Sequence, residues 1–310
     1  MNKKLIAALV ATVISLPTFA HSAKAENQPA PTIAILDTAL DSSLSLFKDR
    51  IIYEACVVQW NSCPNGLSVM EGPGSASMPS QFISKNGFEH GTQLASLAVK
   101  TNMTVKIVFV RVIGSTSNGS RQSAGEQTVY NALDWVIANK DKFNIQAVSM
   151  SQSHHNLGPA GTDYCPKTPN TEARIKTLQS AGVPVFFPAG NGRDYKRIDW
   201  PACISSSIAI GATMPTKEVA IYSNFDSNLV DFFAEGTTRA LNPGGATVNV
   251  AGTSASTVIA ATSWATLKSL KPNLSYSEIY DIFSKTSLPT KNSRVSGGKL
   301  IDLSKAINGQ

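Results

Sequence analysis

Apolar residues along the chain follow two alternating patterns. In the first, short strand-like runs end in polar residues. Pro31–Leu36 runs into Asp37-Thr38, Val105–Val112 and Ile145–Met150 follow, and Val183–Phe187 and Ser207–Ala212 come later. Runs of this kind belong to strands buried on both faces, as in parallel sheets. In the second, apolar residues recur at three- and four-residue steps, the spacing of one helix face. Leu94, Leu97 and Ala98 follow His90-Gly91-Thr92 in this way. Val129, Leu133, Val136 and Ile137 follow the capping box Ser123-Ala124-Gly125-Glu126. Val258, Ile259, Ala261, Thr262 and Ala265 lie within Val250–Leu270 and predict a helix with one buried face. Two more helices are predicted over Glu172–Ala181, closed by Gly182, and from a second capping box, Ser275-Tyr276-Ser277-Glu278. The stretch from Asn61 to Gln81 reads as a surface loop, and the chain is expected to finish in a polar tail around Ser296-Gly297-Gly298. Strand and helix therefore alternate, which predicts an α/β fold: a three-layer parallel sheet with helices on both faces, in one domain over residues 26–310.

Residues 1–25 are expected to be a signal peptide. Basic Lys3 and Lys4 precede an apolar stretch, Leu5–Leu16, that Pro17 interrupts and that is too short to anchor a chain in a bilayer. Ala23-Lys24-Ala25 supplies the cleavage site, with Thr18-Phe19-Ala20 as a competitor. Export, to the periplasm or beyond the cell, is the expectation. Cleavage removes Lys3, Lys4 and Lys24, so the formal charge falls from +6 to about +3. That mild excess, without a Lys/Arg-rich block, argues against nucleic acid and membrane as partners. Four cysteines in an exported chain predict disulfides, and of the three pairings Cys56 with Cys63 and Cys165 with Cys203 is favoured. Cys56 and Cys63 enclose a short polar segment that suits a locally closed loop. No C-x-x-C pair or nearby histidine points to zinc.

Three reactive side chains occupy places where such a fold puts chemistry. Asp37 ends a strand, His90 opens a helix, and Ser254 stands at or next to a helix N-cap. A serine nucleophile needs a base to take its proton and a carboxylate to orient that base. The Asn191 amide and the backbone N–H of Ser254 are suited to stabilise a developing oxyanion. Each has a plainer explanation, since Asp37 could cap a turn and Ser254 a helix, but their joint occurrence favours chemistry. Two other schemes fail on spacing. Ser256 stands where a G-x-S-x-G elbow needs its second glycine, and Tyr195 replaces the third glycine of a dinucleotide fingerprint after Gly190 and Gly192.

The motifs Asp37-Thr38-Ala39-Leu40-Asp41, His90-Gly91-Thr92, Ala189-Gly190-Asn191 and Gly252-Thr253-Ser254-Ala255-Ser256 resemble those of subtilisin-like serine peptidases, in the same order. The resemblance runs from about Pro31 to about Ser287. It implies a subtilisin-like fold and an endopeptidase acting on protein or peptide substrates. Ser254 would be the nucleophile, His90 the general base and acid, Asp37 its orienter and Asn191 the oxyanion donor. It also places Ser151, Gln152 and Ser153 along the substrate, with Ser153 in place of a usual glycine and modifying the primary pocket. His154 and His155 follow as solvent-exposed loop residues. Ala39 replaces a usual glycine, Val258 a usual proline, and only Glu26–Ala30 separate the leader from the first strand, where relatives carry a pro-segment. No calcium, other metal or cofactor is expected, and a monomer is. The competing readings are a catalytically weak relative that binds peptides or a partner, and an esterase or amidase for small substrates.

Overall fold

The structure is a computed structural model that describes residues 29–122, 124–154, 165–291 and 297–309. The expected signal peptide lies outside these residues. The strands are β1 (Thr32–Asp37), β2 (Ile51–Val57), β3 (Val69–Glu71), β4 (Lys106–Arg111), β5 (Ala147–Met150), β6 (Val185–Pro188), β7 (Ile208–Thr213), β8 (Phe232–Glu235), β9 (Thr237–Leu241), β10 (Thr247–Ala251), β11 (Leu288–Pro289) and β12 (Lys299–Leu300). The helices are α1 (Ser80–Ile83), α2 (Glu89–Thr101), α3 (Glu126–Asn139), α4 (Pro169–Ser180), α5 (Thr253–Leu270), α6 (Tyr276–Thr286) and α7 (Leu303–Asn308).

Among the described residues, ten strands form one sheet in the order β11-β12-β8-β7-β6-β5-β1-β4-β2-β3. Its pairings are parallel except at the two edges, where β3 and β11 run antiparallel. A separate antiparallel hairpin, β9 and β10, leads into α5. The apolar runs are unbroken because each strand buries both faces. In β1, Ala34 and Leu36 join one core with Val129, Leu133, Ile175 and Leu178 of α3 and α4. Ile33 and Ile35 join the other, with Leu94, Val258, Trp264 and Phe283 of α2, α5 and α6. The three-layer α/β prediction holds. Strand β1 lies between β4 and β5, so the chain's progress through the sheet reverses direction beside it. The crevice beyond the carboxyl end of such a strand is where open α/β sheets bind ligands.

Both disulfides pair as expected, Cys56 with Cys63 and Cys165 with Cys203. The second capping box is present: Ser275 accepts from the Glu278 N–H and the Glu278 carboxylate accepts from Ser275. Four expectations need correction. Helix α3 starts at Glu126 with Gly125 at the N-cap, so Glu126 is its first residue and not the third, as a box at Ser123 requires. Ser123 itself lies outside the described residues. The loop expected over Asn61–Gln81 contains β3, a short edge strand paired with β2. The expected polar tail contains β12 and α7, the latter capped by the Asp302 carboxylate. Finally, α5 is buried on nearly every side, including Ser256, Thr257 and Ser263, whereas Ile259, assigned to the inward face, is partly exposed. A central helix packed against the sheet and against α2, α6 and α7 has almost no solvent face to keep polar.

Candidate active site

Asp37 is the last residue of β1 and is fully buried. Its Oδ1 accepts the backbone N–H of Thr38 at 2.7 Å and stands 2.7 Å from Nδ1 of His90. Its Oδ2 is buried and takes no hydrogen bond from the described residues. The imidazole is thus the group that compensates this buried charge. With Nδ1–H donating to the carboxylate, Nε2 is left as the acceptor, and 28 % of the His90 side chain remains exposed to use it.

The start of α2 is tied to the end of β1 by Thr38, which donates to the Phe88 carbonyl at 2.8 Å and accepts the Gly91 N–H at 2.9 Å. Gly91 permits this approach: a Cβ there would stand 2.4 Å from the Ala39 carbonyl oxygen and 2.7 Å from the Phe109 ring. His90 is positioned by these backbone contacts as much as by its own ring. Ala39 is absent from the positive-φ residues, so a side chain costs nothing in backbone strain there. Val258 is likewise accommodated, fully buried in an uninterrupted α5.

Ser254 is the second residue of α5, after an N-cap at Gly252. Its N–H is one of the first-turn donors without a helical acceptor, and it lies at the positive end of the helix dipole. Asn191 follows β6 and Gly190, whose φ of +106° makes the turn. Asn191 Oδ1 accepts the backbone N–H of Thr253 at 2.9 Å and the Thr253 hydroxyl at 3.0 Å. Spending Oδ1 on these two donors leaves the amide Nδ2–H group free to point elsewhere. The same hydroxyl accepts the Gly190 N–H at 3.3 Å. His90, Asn191, Gly252 and Ser254 line one cleft of about 330 Å³, with Asn249 and Val250 of β10 along its side.

Ser151, Gln152 and Ser153 follow β5, next to this cleft in the sheet, but their side chains are already engaged. Ser151 Oγ donates to the Ser254 carbonyl at 3.3 Å. Gln152 Oε1 accepts from Arg121 at 3.1 Å, and Ser153 Oγ donates to Asp199 at 3.0 Å. His154, expected to be a free loop residue, is partly buried: its ring bonds the Ala124 carbonyl and packs against Trp200 at 5.7 Å. His155 lies outside the described residues. Sequence reasoning gave no role to Thr38 and Thr253, whose hydroxyls hold the site together, although both stand inside the quoted motifs. It gave no role to Asn224 either. Asn224 Oδ1 accepts the N–H groups of Gly192 and Asp194 and so clamps the Asn191 loop. Asp199 carried no sequence signal at all. No group of three or more His, Cys, Asp or Glu side chains that could hold a metal ion occurs among the described residues. Nor, among them, is any helix long and apolar enough to cross a membrane.

A family model described as "Subtilase family" matches residues 28–300. Subtilisin amylosacchariticus from Bacillus subtilis subsp. amylosacchariticus is 27 % identical over 247 residues, covering 75 % of this chain and 60 % of the relative. This chain therefore spans about three fifths of the length of the curated relatives it first matches. Among solved structures, a protease from Pseudoalteromonas arctica PAMC 21717 superposes with a TM-score of 0.70 at 19 % identity, covering 90 % of this chain and 89 % of that one. The prenylagaramide maturation protease PagA superposes with a TM-score of 0.65 at 18 % identity, covering 89 % and 92 %. These two likenesses concern the fold.

Proposed function

The chain belongs to the subtilase family, and from that membership we propose that it is an exported serine endopeptidase that cuts peptide bonds through an acyl-enzyme on Ser254. The observation that carries the reading is the convergence of the Asp37-bonded His90, Asn191 and Ser254 on one cleft. The two disulfides and an apolar leader are consistent with export. The expected partner is a protein or peptide met by a monomer, with no metal, cofactor, nucleic acid or membrane in the reaction.

In the proposed cycle, His90 Nε2 takes the Ser254 hydroxyl proton as Oγ attacks the substrate carbonyl. Asp37 holds the ring in the Nδ1–H tautomer and stabilises the imidazolium that forms. The tetrahedral oxyanion accepts from the Ser254 N–H and from Asn191 Nδ2, donors fixed before the charge appears. Collapse breaks the C–N bond, and the leaving amine takes the proton from His90. Water then hydrolyses the ester by the same relay. The segment Ser151–Ser153, beside the cleft, would align the substrate backbone.

A fluorophosphonate probe should label the wild type and leave Ser254→Ala unlabelled. A folded wild type that refuses the probe would refute the assignment. Faster turnover of casein than of short esters would support an endopeptidase over an esterase.

A further inference from the structure

Arg111, the last residue of β4, is a buried cation without a counter-charge. Only 1 % of it is exposed, and it makes no ion pair among the described residues. Its guanidinium donates from Nε to the Ile113 carbonyl at 3.0 Å and from Nη1 to the Ser77 carbonyl at 2.9 Å. It stands 5.7 Å from the centre of the Phe88 ring. Nη2 is buried and finds no acceptor among the described residues. The buried carboxylates on the strands beside β4 are engaged elsewhere. Glu54 Oε2 accepts the N–H groups of Gly74 and Ala76, and Asp37 Oδ1 faces His90. Burial pulls the Arg111 pKa down to about 10, where an adjacent carboxylate would hold it up. Arginine still keeps its proton near neutral pH, so a full charge is buried here unmatched, which is unfavourable.

Arg111 also lines a cavity of about 590 Å³. Its walls are residues 61–64 around Cys63, the segment from Ser77 to Pro79 with Phe82, and residues 115–117 after β4. It shares no lining residue with the cleft that holds His90 and Ser254, and Arg111 is the only charged residue on its walls. We propose that this cavity binds a carboxylate group, held by Arg111. With Nε and Nη1 engaged by backbone carbonyls, Nη2 is the donor left for a ligand, and bonds between arginine and carboxylate are among the stronger ones. Ser62 Oγ accepts the Ser115 N–H at 3.1 Å, which leaves its own O–H to donate to the second carboxylate oxygen. One unmatched positive charge calls for one negative charge. A phosphate dianion would bring a second, for which the walls hold no cation. The carboxylate belongs either to a small organic acid or to an acidic residue of a bound polypeptide, and the chemistry at Arg111 is the same. The inference does not rest on catalysis at Ser254.

Two titrations on Ser254→Ala, which would not digest its ligand, separate these sources. Thermal melts compare sodium acetate with sodium chloride at equal ionic strength. Fluorescence polarisation compares two labelled peptides, blocked at both ends, that differ only by Glu against Gln. Acetate should raise Tm above chloride, and where a polypeptide is accepted the Glu peptide should bind roughly tenfold or more tightly than its Gln partner. Stabilisation by acetate without that preference assigns the site to small acids. No effect of acetate beyond chloride, together with equal binding of the two peptides, overturns the proposal. Adding Arg111→Gln should abolish whichever effect is found, and an effect that persists in it overturns the proposal too. Should that variant fail to fold, Ser117→Glu decides the matter by placing a rival carboxylate at an exposed position of the cavity wall. It should weaken acetate or Glu-peptide binding by roughly tenfold, and unchanged binding would contradict a site at Arg111.

Discussion

Thr253→Val tests whether the oxyanion donor is built by α5 itself. Two donors hold Asn191 Oδ1, the Thr253 N–H at 2.9 Å and the Thr253 hydroxyl at 3.0 Å. Together they fix which end of the carboxamide faces the cleft. Valine keeps the volume and the backbone bond but removes the hydroxyl. One neutral hydrogen bond contributes about 1 kcal/mol net, so the mis-turned amide should become about fivefold more accessible than before. Loss of such a donor outright costs about 10² to 10³ in turnover, a figure measured in subtilisin, a member of this same family. Thr253→Val should therefore lower kcat by about two- to tenfold, well short of Asn191→Ala, and leave KM nearly unchanged. The Gly190 N–H also loses its acceptor, at a stability cost of about 1–3 kcal/mol. Steady-state kinetics and urea unfolding on the same preparation separate the two effects. A variant that is destabilised but fully active would refute the positioning role, and one as inactive as Asn191→Ala would show that the backbone bond contributes nothing.

Tyr280→Phe tests the pH dependence of the α6 contact. Burial raises Asp231 above the ordinary carboxylate range, and its ionised form is supported by the Tyr280 hydroxyl at 2.6 Å and the Ala209 N–H at 2.8 Å. A raised folded-state pKa means that the folded protein binds the proton first, so Asp231 favours folding below its pKa and costs stability above it. Removing Tyr280's hydrogen bond should destabilise by about 1–3 kcal/mol at pH values where Asp231 is ionised, and by less as acid protonates it; a loss that grows toward acid pH in urea titrations would contradict this. The disulfides should differ in weight because they close 7- and 38-residue separations. Chain entropy predicts about 2 kcal/mol for Cys56–Cys63 and about 4 kcal/mol for Cys165–Cys203, and paired Cys→Ser variants in denaturant melts that reversed this order would contradict it.

The sequence made the buried strands and reactive residues legible for one physical reason. A parallel strand buries both faces, so it appears as an apolar run, and the polar residue ending that run marks the sheet's carboxyl edge. Asp37 after Ile33–Leu36 and Asn191 beyond Phe187 were found this way. Edge pieces left no such trace. Strand β3 alternates between exposed and half-buried residues, and β12 has two residues, one of them Lys299. They exist because β2 and β8 offer them partners, which is information held far away in the chain.

Helix α5 shows how a periodic signal can name the right element and the wrong surroundings. Its three- and four-residue spacing predicts one buried face, with Thr262 on it. In the fold hydroxyl residues outside that set, Ser256, Thr257 and Ser263, are buried too, and most of the helix's hydroxyls satisfy themselves locally. Thr257, Thr262, Ser263 and Thr266 donate to the carbonyls four residues earlier, and Ser256 to that of Thr253. A buried hydroxyl that bonds its own helix needs no partner elsewhere, so such residues can pass as a solvent face in sequence and as core in space. Two buried hydroxyls reach outside the helix: Ser269 donates to the Pro29 carbonyl, and Thr253 bonds the neighbouring loop. At the first helical position there is no carbonyl four residues back within the helix, and its hydroxyl reaches across to Asn191 and Gly190. The Thr253 hydroxyl, which departs from the helix's own pattern at its start, thus assembles the site, and that position is the signal that could have identified it.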